Sequence, residues 1–251
     1  MRVAFITGPR RTDVSYIQAS VASAIDRGVV LAPEDVGVFS DSIEPPPGLR
    51  DGVRVFLRSA EYLASTTHTY LRITQNYHRA LEWACEGCQL GCVCEDDVQF
   101  AHLWYEHVHQ LAWQAIRESA RFAITLIHFY EPQHFGAWSL PKIGERQLLK
   151  FQNVDTFYGQ QAVVFPTALG RELLTRWRKS LAEYVSAGTS PPMIEVIDMG
   201  LKHHIMELGI PLYAVHPCLV QHVGDAGGVL ERATPLRSAH YWSGNGPIPT
   251  R

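Results

Sequence analysis

The stretch that most constrains this chain is Gly91–Phe100, with the sequence GCVCEDDVQF. Its apolar first half predicts a buried strand, which leads directly into three consecutive acids, Glu95, Asp96 and Asp97. Acids at the end of a buried strand must face something polar, and three neighbouring carboxylates repel one another unless a cation lies among them. Their hard oxygen atoms suit Mg²⁺ or Mn²⁺, which in turn bind diphosphates. We therefore interpret the stretch as a strand that brings a metal-binding carboxylate to a nucleotide-sugar site; the alternative is a solvated acidic loop.

Composition limits the class of protein. A chain of 251 residues with 46% hydrophobic and 19% charged residues can bury a large core, as one large α/β domain or two small ones. The net charge of −3 gives no overall basic field for nucleic acid. We find neither a signal-peptide pattern at the amino terminus nor an apolar run long enough to cross a membrane, so we expect a cytoplasmic protein without a transmembrane segment.

Four of the five cysteines lie within ten residues, in a C-x2-C-x3-C-x-C pattern formed by Cys85, Cys88, Cys92 and Cys94. One interpretation is a zinc site. The other is that Cys92 and Cys94 share one face of the predicted strand and act there as small hydrophobic residues. The pattern leaves both interpretations open.

The amino terminus has the layout of a nucleotide-binding α/β unit. A strand over Arg2–Thr7 ends at Gly8, and a helix over 13–27 follows, ended by Gly28. We expect Thr7, Gly8 and Arg10 to lie beside the ligand, with Arg10 meeting a diphosphate. A solvated basic turn is the alternative.

Hydrophobic periodicity predicts the remaining elements. Strands are expected over 36–39, 54–58, 122–130, 157–166, 211–215 and 218–222, and helices over 74–86, 101–119, 168–185 and 193–208. If Thr74 caps its helix, Asn76 and Arg79 lie near the positive end of the helix dipole, where phosphate is favoured. The alternation of strands and helices predicts an α/β fold.

Four segments carry a resemblance to a known family. In chain order they are TQNYHRAL, CEDDVQF, FYGQQAVVFP and IDMGLKHHIMELGIPLYAVHPCLVQHVG. Together they resemble the GT-A glycosyltransferases, and most closely the branch that holds the N-acetylglucosaminyltransferase IV enzymes and bacterial enzymes with an EDD motif. The resemblance implies a Rossmann-like, mixed and mostly parallel sheet flanked by helices. It implies one domain over 1–228 and a C-terminal tail, 229–251, that packs on it.

The resemblance also implies roles for individual residues. Asp97 would bind the metal ion, completed by His222, and a histidine ligand suits Mn²⁺ better than Mg²⁺. Glu95 and Asp96 would lie near the nucleotide sugar, and so would two residues of the helix that contacts the nucleotide, Asn76 and Arg79. The general base would be Asp198, with Glu195, one helical turn earlier on the same face, as its substitute.

The expected function is a metal-dependent, inverting glycosyltransferase of the hexosyltransferase class. It would move a sugar from a nucleotide-sugar donor, a UDP-sugar, to an acceptor hydroxyl of a glycan, lipid, protein, small molecule or modified nucleic-acid base. Two other classes stay open: a metal-dependent nucleotidyltransferase or phosphohydrolase, which also uses clustered acids, and a non-catalytic module that binds zinc through the four cysteines.

Overall fold

The computed structural model describes residues 1–8, 15–66, 68–129, 131–137, 139–140, 146–157, 161–187, 189 and 191–224. Arg10 and the predicted tail over 229–251 therefore lie outside the described residues. In the described part of the chain, no helix combines the length and the hydropathy needed to cross a membrane.

The described residues form ten strands and six helices, which are interspersed along the chain. The strands are β1 (Arg2–Thr7), β2 (Val36–Ser40), β3 (Arg54–Phe56), β4 (Leu90–Glu95), β5 (Val98–Phe100), β6 (Ala123–Thr125), β7 (Gln147–Lys150), β8 (Ala162–Pro166), β9 (Leu212–His216) and β10 (Val220–His222). The helices are α1 (Ile17–Arg27), α2 (Ala60–Ser65), α3 (Thr69–Ala84), α4 (Trp104–Glu118), α5 (Thr167–Ser186) and α6 (Ile197–Glu207).

Eight of the strands form one mixed sheet in the order β3-β2-β1-β4-β8-β6-β9-β7. Strands β7 and β8 run opposite to the other six, so the sheet is mostly parallel, and the predicted fold class is confirmed. The carboxyl ends of β1, β2 and β4 consequently meet at one edge, which is where open α/β sheets bind ligands. Strands β5 and β10 pair separately.

Both faces of the sheet are covered by helices. In β1, Val3 and Phe5 face a cluster formed with α1 and α4, while Ala4 and Ile6 face a cluster formed with α3, α5 and α6. This alternation follows from the period of two along a strand. Because β4 lies inside the sheet and is buried on both sides, its sequence is a nearly continuous apolar run.

Helix α3 differs from the prediction at its start. It begins at Thr69, and its cap is His68, whose Nδ1 atom accepts a hydrogen bond from the backbone N–H of Leu71. Thr74 lies inside the helix, where its hydroxyl donates to the carbonyl oxygen of Tyr70 at 2.8 Å. The predicted cap at Thr74 is therefore wrong, because the helical pattern continues upstream of it.

Other elements differ in extent. The strand predicted over 122–130 is only three residues long, β6, and β7 was not predicted. The helix predicted over 193–208 is divided into a 3-10 turn, Met193–Glu195, and α6. Val196 between them has extended dihedral angles, φ −116° and ψ 144°, which break the helix. Glu195 and Asp198 are therefore not one helical turn apart on a shared face, and that prediction is wrong.

The four clustered cysteines do not converge on one point. Cys92 and Cys94 are fully buried on the α1–α4 side of the sheet, with their sulfur atoms 3.4 Å apart. Cys85 is buried on the opposite side, and the Cys88 thiol donates to two backbone carbonyls at 3.1 Å. Cys85, at the end of α3, is separated by the sheet from Cys92 and Cys94 on β4, so the zinc site on four cysteines, one of the two interpretations, is not formed.

The contact between α3 and α5 makes a testable prediction. A methyl group at Gly170 would collide with the Cys85 sulfur atom, while its next neighbour, Leu81 Cδ1, stays at 3.4 Å. We expect Gly170→Ala to lower the free energy of unfolding by about 1–3 kcal/mol through overpacking. In the double variant with Cys85→Ala the collision is removed, so most of that loss should be recovered. Urea denaturation of the four proteins measures the coupling; simple additivity would contradict this packing.

Candidate metal centre

Hydrogen bonds from helix α1 hold the turn between β4 and β5 in place. The Ser20 hydroxyl donates to the carbonyl oxygen of Asp96 at 2.7 Å and accepts from the backbone N–H of Val98 at 3.1 Å. The Asp96 carboxylate is buried and accepts a short hydrogen bond from the Thr7 hydroxyl at the end of β1. Asp96 therefore joins β1 to this turn.

Strand β10 brings His222 to Asp97. The pairing of β10 with β5 places His222 opposite Val98, and the N–H of Val223 donates to the carbonyl oxygen of Asp97 at 2.8 Å. The Nε2 atom of His222 lies 3.2 Å from Oδ1 of Asp97. The Nδ1 atom of His222 is buried and has no hydrogen-bond partner among the described residues.

Glu95, Asp97 and His222 together form a candidate metal centre. Each offers one ligand atom, and these atoms lie within 4.8 Å of one another. Adjacent ligands of an octahedral ion bound at about 2.1 Å are about 3 Å apart, close to the 3.2 Å between Asp97 and His222. Two carboxylates and an imidazole suit Mn²⁺, and three protein ligands leave positions for the oxygen atoms of a ligand.

Asn76 and Arg79 bind the main chain beside this centre. The Asn76 amide is buried and donates to the carbonyl oxygens of Phe39 at 2.6 Å and Thr7 at 3.4 Å. Arg79 donates to the carbonyl oxygen of Leu57 at 3.0 Å. Neither residue lies at the start of α3, so the helix-dipole argument for them is wrong. Their side chains nevertheless lie where β1 and β2 end, and their contact with a ligand stays a prediction.

A charged cluster at the end of β2 was not predicted. Asp41 is buried, with Arg72 Nη2 2.7 Å from Oδ2 and Arg58 Nε 3.5 Å from Oδ1. The Arg58 guanidinium also lies over the ring of Tyr62, 4.1 Å from its centroid. Asp41 directly follows a buried strand, and this sequence pattern could have predicted a polar site there. The same pattern identified Glu95.

The electrostatics at this edge favour an anion. Burial lowers the pKa of Arg58; burial and then the nearby Arg58 charge lower the pKa of Arg79. Arg58 and Arg72 contact the Asp41 carboxylate and the charge of Arg79 lies near it, so three guanidinium groups outnumber this carboxylate at the end of β2. Gly8 is exposed beside it, with no atom within 4 Å of the position that a Cβ would occupy.

The two candidate bases lie on the helical layer that contains α5 and α6. Asp198 is in the first turn of α6, and its side chain is outside the described part of the structure. The Glu195 carboxylate is buried, with Oε2 3.3 Å from Nε2 of His204. The carbonyl oxygen of Glu195 accepts from the Trp177 indole at 2.8 Å. The described contacts of Glu195 are thus with these helices and not with Asp97.

Comparison with known proteins does not identify a family. No protein family matches the sequence, and no curated protein matches it. Among solved structures, the chain is similar to the galactosyltransferase LgtC in complex with donor and acceptor sugar analogs. The identity is 11%, the TM-score is 0.45, and the match covers 84% of this chain and 73% of that chain. A likeness of this degree carries no functional conclusion, and the assignment of the fold rests on the sheet topology.

The contact between Gly224 and Asp97 provides a test of the metal centre. A Cβ atom at Gly224 would collide with the Asp97 carboxylate. We expect Gly224→Ala to displace this ligand and weaken Mn²⁺ binding about 10- to 100-fold, the usual effect of disturbing a ligand's support. Gly8→Ala adds the same methyl group where nothing lies within 4 Å and should leave the affinity for Mn²⁺ alone unchanged. Isothermal titration calorimetry compares the variants; equal affinities would exclude Asp97 as a ligand.

Proposed function

We propose that this chain is a metal-dependent glycosyltransferase that moves a sugar from a nucleotide-sugar donor, a UDP-sugar, to an acceptor hydroxyl. The observation that carries the proposal is the convergence of Glu95, Asp97 and His222 at the carboxyl edge of a mostly parallel sheet. Asp97 and His222 are far apart in sequence, and only the β5–β10 pairing brings them together.

The donor would lie between this centre and the end of β2. A diphosphate carries negative charge, and the arginines around Asp41 supply an excess of positive charge on that side. Thr7 and Gly8 separate the two clusters along the sheet edge, with Gly8 leaving room for close approach of a phosphate. We propose that the nucleotide contacts Thr7, Gly8, Arg10, Asn76 and Arg79.

We propose the following chemistry for these residues. A divalent cation held by Asp97, His222 and Glu95 would neutralise the charge that develops on a leaving nucleoside diphosphate. Asp198 would take the proton from the acceptor hydroxyl as its oxygen attacks the anomeric carbon, and a single displacement inverts that centre. Glu195 is the weaker candidate for this base because its carboxylate is buried against His204.

Ligand binding tests the metal centre and the donor class together. We expect UDP or a UDP-sugar to raise the melting temperature only when Mn²⁺ is present; a ligand at 100 times its Kd contributes about 2.7 kcal/mol. Asp97→Ala and His222→Ala should abolish the Mn²⁺-dependent part of this shift. Asp51→Ala, which removes an exposed carboxylate, is the matched control and should respond like the wild type. A nucleotide response that persists in Asp97→Ala would contradict the proposal.

Product analysis tests the reaction class. With a UDP-sugar and Mn²⁺, the wild type should release a nucleoside diphosphate, whereas a nucleotidyltransferase or phosphohydrolase would release pyrophosphate or phosphate. We expect Asp198→Asn to reduce turnover by about 10²- to 10⁴-fold, the usual contribution of a general base. Glu195→Gln should have a smaller effect on turnover. Full turnover in Asp198→Asn would remove the assignment of the base.

A further inference from the structure

A second cluster of metal-ligating side chains lies away from the sheet edge, on α6. It consists of His203, His204 and Glu207, with Glu195 facing it from the turn that precedes the helix. Ligand atoms of the three helical residues lie within 4.8 Å of one another. The spacing explains this approach, because residues three and four apart on a helix are neighbours. No step of the proposed reaction uses His203, His204 or Glu207.

The distances within this cluster match those of a small tetrahedral ion. Nε2 of His203 lies 3.4 Å from Oε1 of Glu207, and Nδ1 of His204 lies 3.6 Å from Oε2 of Glu207. Ligand atoms bound to Zn²⁺ at about 2.0–2.1 Å in tetrahedral geometry are about 3.3 Å apart. The two distances run to different oxygens of Glu207, and one ligand atom from each of the three residues lies within 4.8 Å of the other two.

One buried ring nitrogen has no hydrogen-bond partner. His204 is 2% exposed, and while its Nε2 atom lies 3.3 Å from Oε2 of Glu195, its Nδ1 atom forms no hydrogen bond with any residue that the structure describes.

We propose that His203, His204 and Glu207 bind a Zn²⁺ ion. The ligand atoms are Nε2 of His203, Nδ1 of His204 and the Glu207 carboxylate, and solvent takes the fourth position on the half-exposed side of Glu207. Imidazole nitrogens favour zinc over Mg²⁺ or Ca²⁺. This donor set differs from the carboxylate-rich centre at Asp97, and the inference does not depend on the proposed function.

The surrounding residues support this ligand set. Once His204 binds through Nδ1, its Nε2–H faces Oε2 of Glu195 at 3.3 Å, which is the carboxylate–histidine–metal arrangement that fixes the ring of a ligand. Arg176 donates a hydrogen bond to Oε2 of Glu207 at 2.9 Å, while Oε1 of Glu207 faces His203. The ion would thus tie Glu195, and the turn that leads to Asp198, to the body of α6.

The test measures zinc binding in a background without the first centre. In the full chain carrying Asp97→Ala, treated with a chelator and dialysed, calorimetry with Zn²⁺ should give one site per chain. Adding His203→Ala or Glu207→Gln should weaken this site at least about tenfold, the lower bound for loss of a ligand or its support. Adding His102→Ala, which removes an exposed histidine, is the matched control and should leave the affinity unchanged. Circular dichroism establishes that each variant is folded.

A spectroscopic readout identifies the ligands. Co²⁺ added in place of Zn²⁺ should give the visible d–d bands of a tetrahedral site without a thiolate charge-transfer band. Absence of a zinc site in the Asp97→Ala chain, or an affinity that His203→Ala and Glu207→Gln both leave unchanged, would overturn the proposal. A thiolate band would also overturn it, because the ion would then be bound by the cysteines.

Discussion

The candidate metal centre depends on one buried hydroxyl. Ser20 of α1 binds both sides of the turn between β4 and β5, through the carbonyl oxygen of Asp96 and the N–H of Val98. Because Ser20 is itself buried against the sheet, the turn cannot rotate without breaking both hydrogen bonds. The position of Asp97, and therefore its approach to His222, is set by the packing of α1 and not by the turn alone.

The sequence predicted the parts of this arrangement that have a local signal. The apolar run of β4 ends in acids, and β1 ends at Gly8, so the pattern alone predicts two strand ends and the polar edge they share. The pairing of Asp97 with His222 came from the resemblance, because periodicity carries no information about which distant strands meet. The start of α3 was missed since helical propensity is a weak prior, and His68, a less common cap, replaces Thr74.

Tertiary partners decide what the predicted polar residues do. Asn76 was expected to contact a ligand, yet its amide nitrogen donates hydrogen bonds to the carbonyl oxygens of Phe39 and Thr7. These two hydrogen bonds hold the ends of β1 and β2 together. Asp41 was missed because its role requires Arg58 and Arg72, which lie on segments that the sequence pattern does not connect to β2.

The two clusters of metal-ligating residues differ in their donor atoms. At the sheet edge, two carboxylates outnumber one imidazole and suit a hard ion that exchanges with a phosphate-bearing ligand. Within the α6 layer, two imidazoles and one carboxylate suit an ion that stays bound. Glu195 connects the second cluster to the start of α6, since it faces His204 and precedes Asp198 by three residues. In the proposed reaction, zinc bound on α6 would act through the segment that carries Asp198.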